Sequence, residues 1–314
     1  MKILFLDQNK WIELARGVKS PDDFPKQYAV VESLVSEAKA GKIIVPLTFS
    51  NLYETQKIAN PERREQLARV QSILSKGKVF RGRYKRLEVE VTDSLRRTCG
   101  LETLPRASDW FLSNVFFEAQ SEKDDPRLPP ISEFVFRSIE AEPARYMYEF
   151  LAGIDEQTRS VAVARFSSGT AGVLEGIEKR RALIAGETMD MRRRVYSARL
   201  LVDELDLIND LLMKADMPMA DWQTMKEKAC LNLVEHCPAY FIERAIGVRI
   251  EAQTRAIQEN DLRDMQSFCT ATAYSDIMVA EKFFSNLAVQ AGLHKKYRTQ
   301  IITDLYALPA LLEA

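Results

Sequence analysis

The stretch MKILFLDQNKWIELA, residues 1–15, decides how the rest of the chain is read. Residues 2–6 (Lys-Ile-Leu-Phe-Leu) make a short apolar run of the kind found in strands buried on both faces. Asp7 follows at once, and Trp11, Leu14 and Ala15 then recur at helical spacing. A buried strand running through a carboxylate into a helix is the opening of a β–α unit. Open parallel sheets bind their ligands beyond the carboxyl ends of the strands, which is where Asp7 stands.

The same alternation continues outward. Lys42–Pro46 (KIIVP) reads as a second strand. Between the two, Asp23–Lys39 reads as a helix with Val30, Val31, Leu34 and Val35 on its apolar face and Gly41 just past its end. TFSNLYETQKIA begins another helix, and a further helical pattern spans Pro61–Ser75. Towards the other end, RIEAQTRAIQ and DMQSFCTATA have helical spacing and DIMVA is a short apolar strand. KFFSNLAVQAG is again helical, stopped by Gly292, and QIIT (Gln300–Thr303) is a last strand. Strands alternating with helices predict a parallel, doubly wound α/β sheet. From about Arg83 to Arg244 no strand pattern stands out, and helix formers are punctuated at Pro105, Asp125–Pro130 and Pro143. The expected organisation is one α/β domain in two parts, residues 1–80 and 246–314, interrupted by an all-helical insertion over residues 81–245.

Composition narrows the function. At 314 residues, 46% hydrophobic and 28% charged, the chain has the make-up of a soluble protein with a substantial core. A net charge of −1 argues against a molecule that binds nucleic acid over its whole surface, so any basic face must be local. Asp7 and Lys10 interrupt the only candidate leader, and no apolar run approaches the roughly 20 residues of a membrane span. Cys99, Cys230, Cys237 and Cys269 form no CxxC pair, and a reducing cytoplasm is the expected location with no membrane partner. There is no GxxxxGK[ST] or GxGxxG motif, which removes the main support for NTPase or dinucleotide chemistry. His236 and His294 are the only histidines; LVEHCPAY lacks zinc-ligand spacing and predicts a buried structural role.

Acids remain. Glu54 lies in the helix after the second strand, and Asp261 and Asp264 lie near the start of the DMQSFCTATA helix. Asp276 precedes the IMVA strand and Glu281 follows it. Four or so carboxylates at one sheet edge repel unless cations neutralise them, and an oxygen-only set suits Mg²⁺ or Mn²⁺. Such a centre can activate water and neutralise charge on a phosphate during hydrolysis. Each acid also has a local reading. Asp7 suits an N-cap, Asn51-x-x-Glu54 has capping-box spacing, and Asp261 suits a cap with Asp264 three residues on.

ILFLDQNKW, IIVPLTFSNLYE and NDLRDMQSFCTATAYSDIMVAEKFF together resemble the PIN-domain ribonuclease family, over roughly residues 1–75 and 246–314. The resemblance implies a PIN-like parallel sheet flanked by helices and a metal-dependent endoribonuclease. Asp7, Glu54, Asp264 and Glu281 would be its catalytic acids, and the same four with Asp276 its ligands for Mg or Mn. Where many PIN domains read Thr-x-Asp after the strand, this chain has VAEK, and the helical insertion is longer than in small toxin-type members. RNA is the implied substrate. A protein regulator or antitoxin-like inhibitor and a homo-oligomer are further expected partners. A flap-type nuclease acting on DNA and a catalytically inactive scaffold or protein-binding module are the alternatives.

Two basic runs lie in the insertion. RGRYKR (81–86) offers Arg83, Tyr84 and Arg86 to a nucleic acid, with the tyrosine as a stacking platform. Lys179–Arg199 carries seven basic residues against Glu187 and Asp190, including Arg192, Arg193 and Arg194. A solvated helix face, or a long amphipathic helix used in packing or dimerisation, accounts for these runs equally well. Trp11 is expected to anchor the core. Lys10 and Lys282 are expected in solvent, and Gln8 and Asn9 are candidates to orient Asp7.

Overall fold

The computed structural model describes residues 1–120, 131–214 and 219–313, so the expected break at Asp125–Pro130 lies outside the described residues. In chain order the strands are β1 (Lys2–Leu6), β2 (Ile43–Ile44), β3 (Val79–Phe80), β4 (Leu112–Ser113), β5 (Ile277–Val279) and β6 (Gln300–Ile302). Four of them form a parallel sheet in the order β2-β1-β5-β6. The register sets Leu4 against Ile277 and Leu6 against Val279. The two central strands therefore come from opposite ends of the chain.

Side chains alternate across a strand, and β1 shows why its run is continuously apolar. Leu4 and Leu6 enter one core with Val279 and with helices Gln8–Lys19, Pro25–Lys39 and Pro61–Ser75, where Trp11, Leu34 and Leu67 are buried. Phe5 enters the core on the other face with Met278 and Ala280. There helices Pro238–Glu251, Glu259–Ala271 and Lys282–Gln290 contribute Ile246, Phe268 and Phe284. Helices on both faces of a parallel sheet are the α/β arrangement the alternation predicts. Trp11 is fully buried, as expected of a core anchor.

Three expectations need correction. KIIVP yields only Ile43–Ile44 as strand, because the chain then leaves the sheet and Leu47 bridges to Val79 beside it. RIEAQTRAIQ is helical only as far as Glu251, and Gln253–Gln258 is non-helical. The region 81–245 is not all helical, since β4 pairs antiparallel with β3, Phe80 opposite Leu112. Nor is it packed apart from the sheet. Met147 and Leu151 of helix Pro143–Ala152 lie in the first core, and Phe111, Ile177 and Ile242 lie in the second. A third core gathers Leu87, Val91 and Leu95 of helix Arg83–Thr98 with Leu207, Ile208, Leu211 and Leu233.

The junction between the first core and this region is close. Gly77 has φ +74°, and a Cβ there would stand 2.2 Å from the backbone carbon of Pro143. Only glycine meets both conditions without displacement. No helix among the described residues is long and apolar enough to cross a membrane.

Candidate acidic site at the carboxyl ends of β1 and β5

Asp7 is placed by three hydrogen bonds. Its own N–H donates to Val279 O at 2.9 Å, which fixes the exit of β1 against the end of β5. Its Oδ1 accepts the Gln8 N–H at 2.8 Å, making it the N-cap of Gln8–Lys19, and its Oδ2 faces the Glu281 N–H at 3.4 Å. The residue is buried, at 7% exposure. Burial, then the charge of Glu281, raises its pKa against the lowering effect of the Gln8 amide. Asp7 thus caps a helix and also stands at the strand edge.

Glu281 follows β5 in extended conformation at the start of Lys282–Gln290, but its side chain does not cap that helix. Asn9 Nδ2 donates to Glu281 Oε1 instead. Asn9 therefore orients Glu281, not Asp7.

Glu54 lies in helix Phe49–Lys57, whose capping box is formed by Thr48 and Asn51. The Thr48 N–H donates to Asn51 Oδ1 at 3.0 Å, so the expected Asn51–Glu54 box is not the one used and Glu54 is released from that role. Burial pushes the half-buried Glu54 carboxyl up to about 7; Asp7 and Glu281 add to this, while Arg263 and Lys57 oppose it.

Asp264 lies a turn into helix Glu259–Ala271. Here Gln258 occupies the N-cap position and Asp261 closes the box from N3, accepting the Gln258 N–H at 2.8 Å. Asp261 also pairs with Arg255 at 2.7 Å. Burial alone would raise Asp261, but Arg255 and the Gln258 amide together hold it below the usual carboxylate range. Asp264 has no such support. Burial, then the charges of Asp7, Glu54 and Glu281, push it up to about 8. Asp7, Glu54, Asp264 and Glu281 therefore stand within electrostatic reach of one another.

A buried polar network braces these positions. Gln8 Nε2 donates to Thr55 Oγ1 at 3.0 Å, Thr55 Oγ1 to Gln71 Oε1 at 2.8 Å, and Asn51 Nδ2 to Gln8 Oε1 at 3.2 Å. Thr48 Oγ1 and Ser267 Oγ share a bond at 3.0 Å. The exit of β1 is thereby tied to Phe49–Lys57 and Pro61–Ser75, and Phe49–Lys57 in turn to Glu259–Ala271. Satisfied networks of this kind rigidify what they join. Gln8 belongs to this support, not to the site.

Arg263 is the residue that the sequence reading missed. It is 4% exposed, one position before Asp264, with its guanidinium over the Tyr53 ring. Nη1 donates to Glu259 Oε1 at 2.6 Å and Nη2 to Asn260 Oδ1. Among the described residues Nε has no hydrogen-bond partner, and it faces Glu54 Oε1 at 3.7 Å.

Several expected residues lie elsewhere. Asp276 precedes β5, so a parallel sheet puts it at the opposite end from Glu281. It is exposed, and its Oδ2 accepts the Ile3 N–H at 2.6 Å, which removes it from the ligand set. Lys10 is half-buried and paired with Glu13 at 2.7 Å, while Lys282 is exposed. In RGRYKR, Arg86 is fully buried, donating to Arg81 O at 2.9 Å and Thr270 Oγ1 at 3.2 Å. Arg83 pairs with Glu243 at 2.6 Å and Glu204 at 2.8 Å, and Tyr84 packs against the third core. Arg83 and Arg86 are therefore engaged within the protein. Arg192 is also buried, donating to Glu187 O at 3.1 Å and Ala185 O at 2.8 Å. Arg193 and Arg194 are exposed, the latter beside Asp190 at 3.2 Å. His236 is exposed at a helix end; its neighbour Cys237 is the buried one.

Among the described residues no three His, Cys, Asp or Glu side chains stand together as ligands of one ion. The donor set nevertheless suits a hard cation. It is oxygen-only, and beyond the effect of burial its members raise one another's pKa. Mg²⁺ commonly keeps several waters and takes only one or two carboxylates directly. No family model, curated protein or solved structure matches this chain.

Proposed function

We propose that the chain is a metal-dependent endoribonuclease built on a PIN-like α/β domain. One observation carries the reading: acids following two adjacent parallel strands, Asp7 after β1 and Glu281 after β5, share one edge with Glu54 and Asp264 from flanking helices. The order of these acids and their strand context are those of the resemblance in the sequence. Asp7, Glu54, Asp264 and Glu281 are the residues that would hold Mg or Mn. The ion, when bound, supplies a water of lowered pKa and neutralises charge developing on a scissile phosphate.

The chain's own groups do the remaining work. Asn9 holds the Glu281 carboxylate in place through Nδ2, and the Gln8 amide holds Asp7. Burial and the neighbouring acids raise Glu54 to about 7 and Asp264 to about 8, so both can hold a proton on a carboxyl oxygen near neutrality, and metal ligation would require the deprotonated form. The fixed edge of β1 and β5 presents both strand-end acids to the same phosphate.

The test is incubation of purified protein with structured and single-stranded RNA in Mn²⁺, Mg²⁺ or chelator, beside Asp7→Asn and Glu281→Gln. Metal-dependent cleavage lost in both variants is the expected result. Cleavage that survives chelation or either substitution would sink the reading. A parallel DNA pool decides against the flap-type alternative if the 2′-hydroxyl is required.

The inactive-scaffold reading has one observation in its favour, the lack of three side chains gathered as joint ligands among the described residues. It requires that Mn²⁺ fail to bind at all.

A further inference from the structure

Helix Met189–Asp203 buries one side and leaves an apolar stripe on the other. Arg192, Tyr196 and Leu200 recur every four residues and face inward, the last two in the third core. Met191, Val195, Ala198 and Val202 follow one another at steps of four, three and four, and all are exposed, Val202 at 69%. Leu205 comes three residues later, just past the helix end, and is 53% exposed. Alternating steps of three and four make the seam of a paired helix, narrower than the stripe of a helix lying on a globular core. An exposed apolar run of this kind marks an interaction surface.

The charges beside the seam identify its partner. With Val195 and Val202 at heptad position a, Arg194 flanks the seam on one side (g), and Arg199 and Asp206 flank it on the other (e). A parallel partner of the same sequence would set Arg194 against Arg199 twice, since g of one helix meets e of the next heptad in the other. A two-fold axis perpendicular to both helices makes them antiparallel and keeps each flank on its own side. Arg199 of each copy then meets Asp206 of the other. Within one copy Arg199 bonds Asp203 at 2.8 Å and Arg194 lies 3.2 Å from Asp190; both pairs are exposed, worth little and able to exchange partners. Among the described residues Asp206 forms no ion pair, and it is exposed. A nucleic-acid backbone suits this face less well, because its middle is apolar and its carboxyl-terminal end carries Asp203, Glu204 and Asp206.

We propose that this face binds a second copy of the chain, as an antiparallel helix pair about a two-fold axis. The contact is isologous, the same patch on both copies. Ala198 lies near its middle, where a small side chain lets the two backbones approach. The helix has 15 residues and so spans about 22 Å. That is short beside interfaces that bury about 1,600 Å² in all, so the pair forms and dissociates with protein concentration.

Sedimentation equilibrium of the full chain across the micromolar range tests this. The wild type is expected to pass from monomer to dimer. Val202→Glu, which sets two carboxylates in the seam, is expected to stay monomeric and to melt at the wild-type temperature, its position being exposed. Arg199→Glu is expected to weaken the dimer about tenfold, two exposed pairs being turned to repulsion. Adding Asp206→Arg to it is expected to restore the dimer. A wild type that is monomeric throughout, a dimer indifferent to Val202→Glu, or a double variant as weak as Arg199→Glu would each overturn the proposal. So would a dimer that Arg199→Glu tightens, the sign of a parallel pair relieved of its arginine repulsion. RNA bound by a monomeric wild type and lost in Arg199→Glu would overturn it in favour of a nucleic-acid surface.

Discussion

Asp7 and Glu281 are 274 residues apart in sequence and meet at the ends of neighbouring strands, the Glu281 N–H facing Asp7 Oδ2 at 3.4 Å. The contact joins the last residue before one helix to the last residue before another. Asp7 has two jobs, and substitution separates them. Asparagine is as good an N-cap as aspartate, whereas alanine forfeits about 1 kcal/mol. Asp7→Asn is therefore expected to melt near the wild-type temperature and Asp7→Ala about 2 °C below it. Both should lose RNA cleavage. Equal melting of the two variants would show that the cap seen at Gln8 contributes nothing.

Burial of the acids, and after it their mutual repulsion, predicts an unusual pH profile for the metal-free protein. Asp264 and Glu54 are raised to about 8 and about 7 from ordinary values of 3.8 and 4.5. Between those limits the folded state binds more protons than the unfolded state, so stability is greatest below the ordinary values and falls as pH rises through 7 and 8. Thermal melting in chelator at pH 5 and pH 8 measures this. Asp264→Asn should flatten the slope and raise stability at pH 8 by about 1 kcal/mol or more, one pKa unit being 1.36 kcal/mol. Added Mn²⁺ should have its largest stabilising effect at the alkaline end.

Glu90 is a buried hub apart from the proposed ligand set. Its Oε2 accepts the Ala239 N–H at 2.7 Å and faces Cys237 Sγ at 3.2 Å, Tyr274 donates to Oε1, and Arg86 lies at 3.7 Å. Removing one partner of a buried ion pair strands the other, at about 3–5 kcal/mol. Glu90→Ala is expected to lose that much in denaturant unfolding, and Arg86→Ala to unfold comparably early. If Arg86→Ala instead left stability intact and weakened RNA binding, the basic run would be a nucleic-acid surface after all.

At Gly77 a side chain meets two penalties at once, a left-handed backbone and contact with Pro143. The first costs about 1–2 kcal/mol and overpacking about 1–3 kcal/mol. Gly77→Ala is expected to shift the denaturant midpoint accordingly, whereas Gly41→Ala meets nothing within 4 Å and should cost only the first amount.

Much of this molecule is legible in its residues, for reasons that can be named. β1, β5 and β6 announce themselves because apolar runs bounded by turn residues have few other uses, and Pro61–Ser75 begins and ends where the sequence places it. The positions of Asp7 and Glu281 just past β1 and β5 were read by the same logic. Asp276 was legible too and was misread: preceding a parallel strand and following one are opposite ends of the sheet. β4 left no signal, being two residues long and dependent on β3 for its existence. The burial of Arg86 and Arg192 was not legible, because composition does not say which way a helical arginine points. The spacing Arg86-x-x-x-Glu90, and likewise Glu259-x-x-x-Arg263, puts opposite charges on one helical face and could have marked both arginines as internal. The network of Gln8, Thr55 and Gln71 needed three elements brought together, which no local pattern records.

The pairing of β1 with β5 has a consequence for how the protein comes into being. On the ribosome Asp7 emerges 274 residues before Glu281, so over that interval the nascent polypeptide lacks the second strand-end acid. Domains fold as they emerge at about 5–20 residues per second. Here the central strand must wait for its neighbour, for a time on the order of tens of seconds at that rate. The threading order thus keeps the acidic edge incomplete until β5 has emerged and paired with β1.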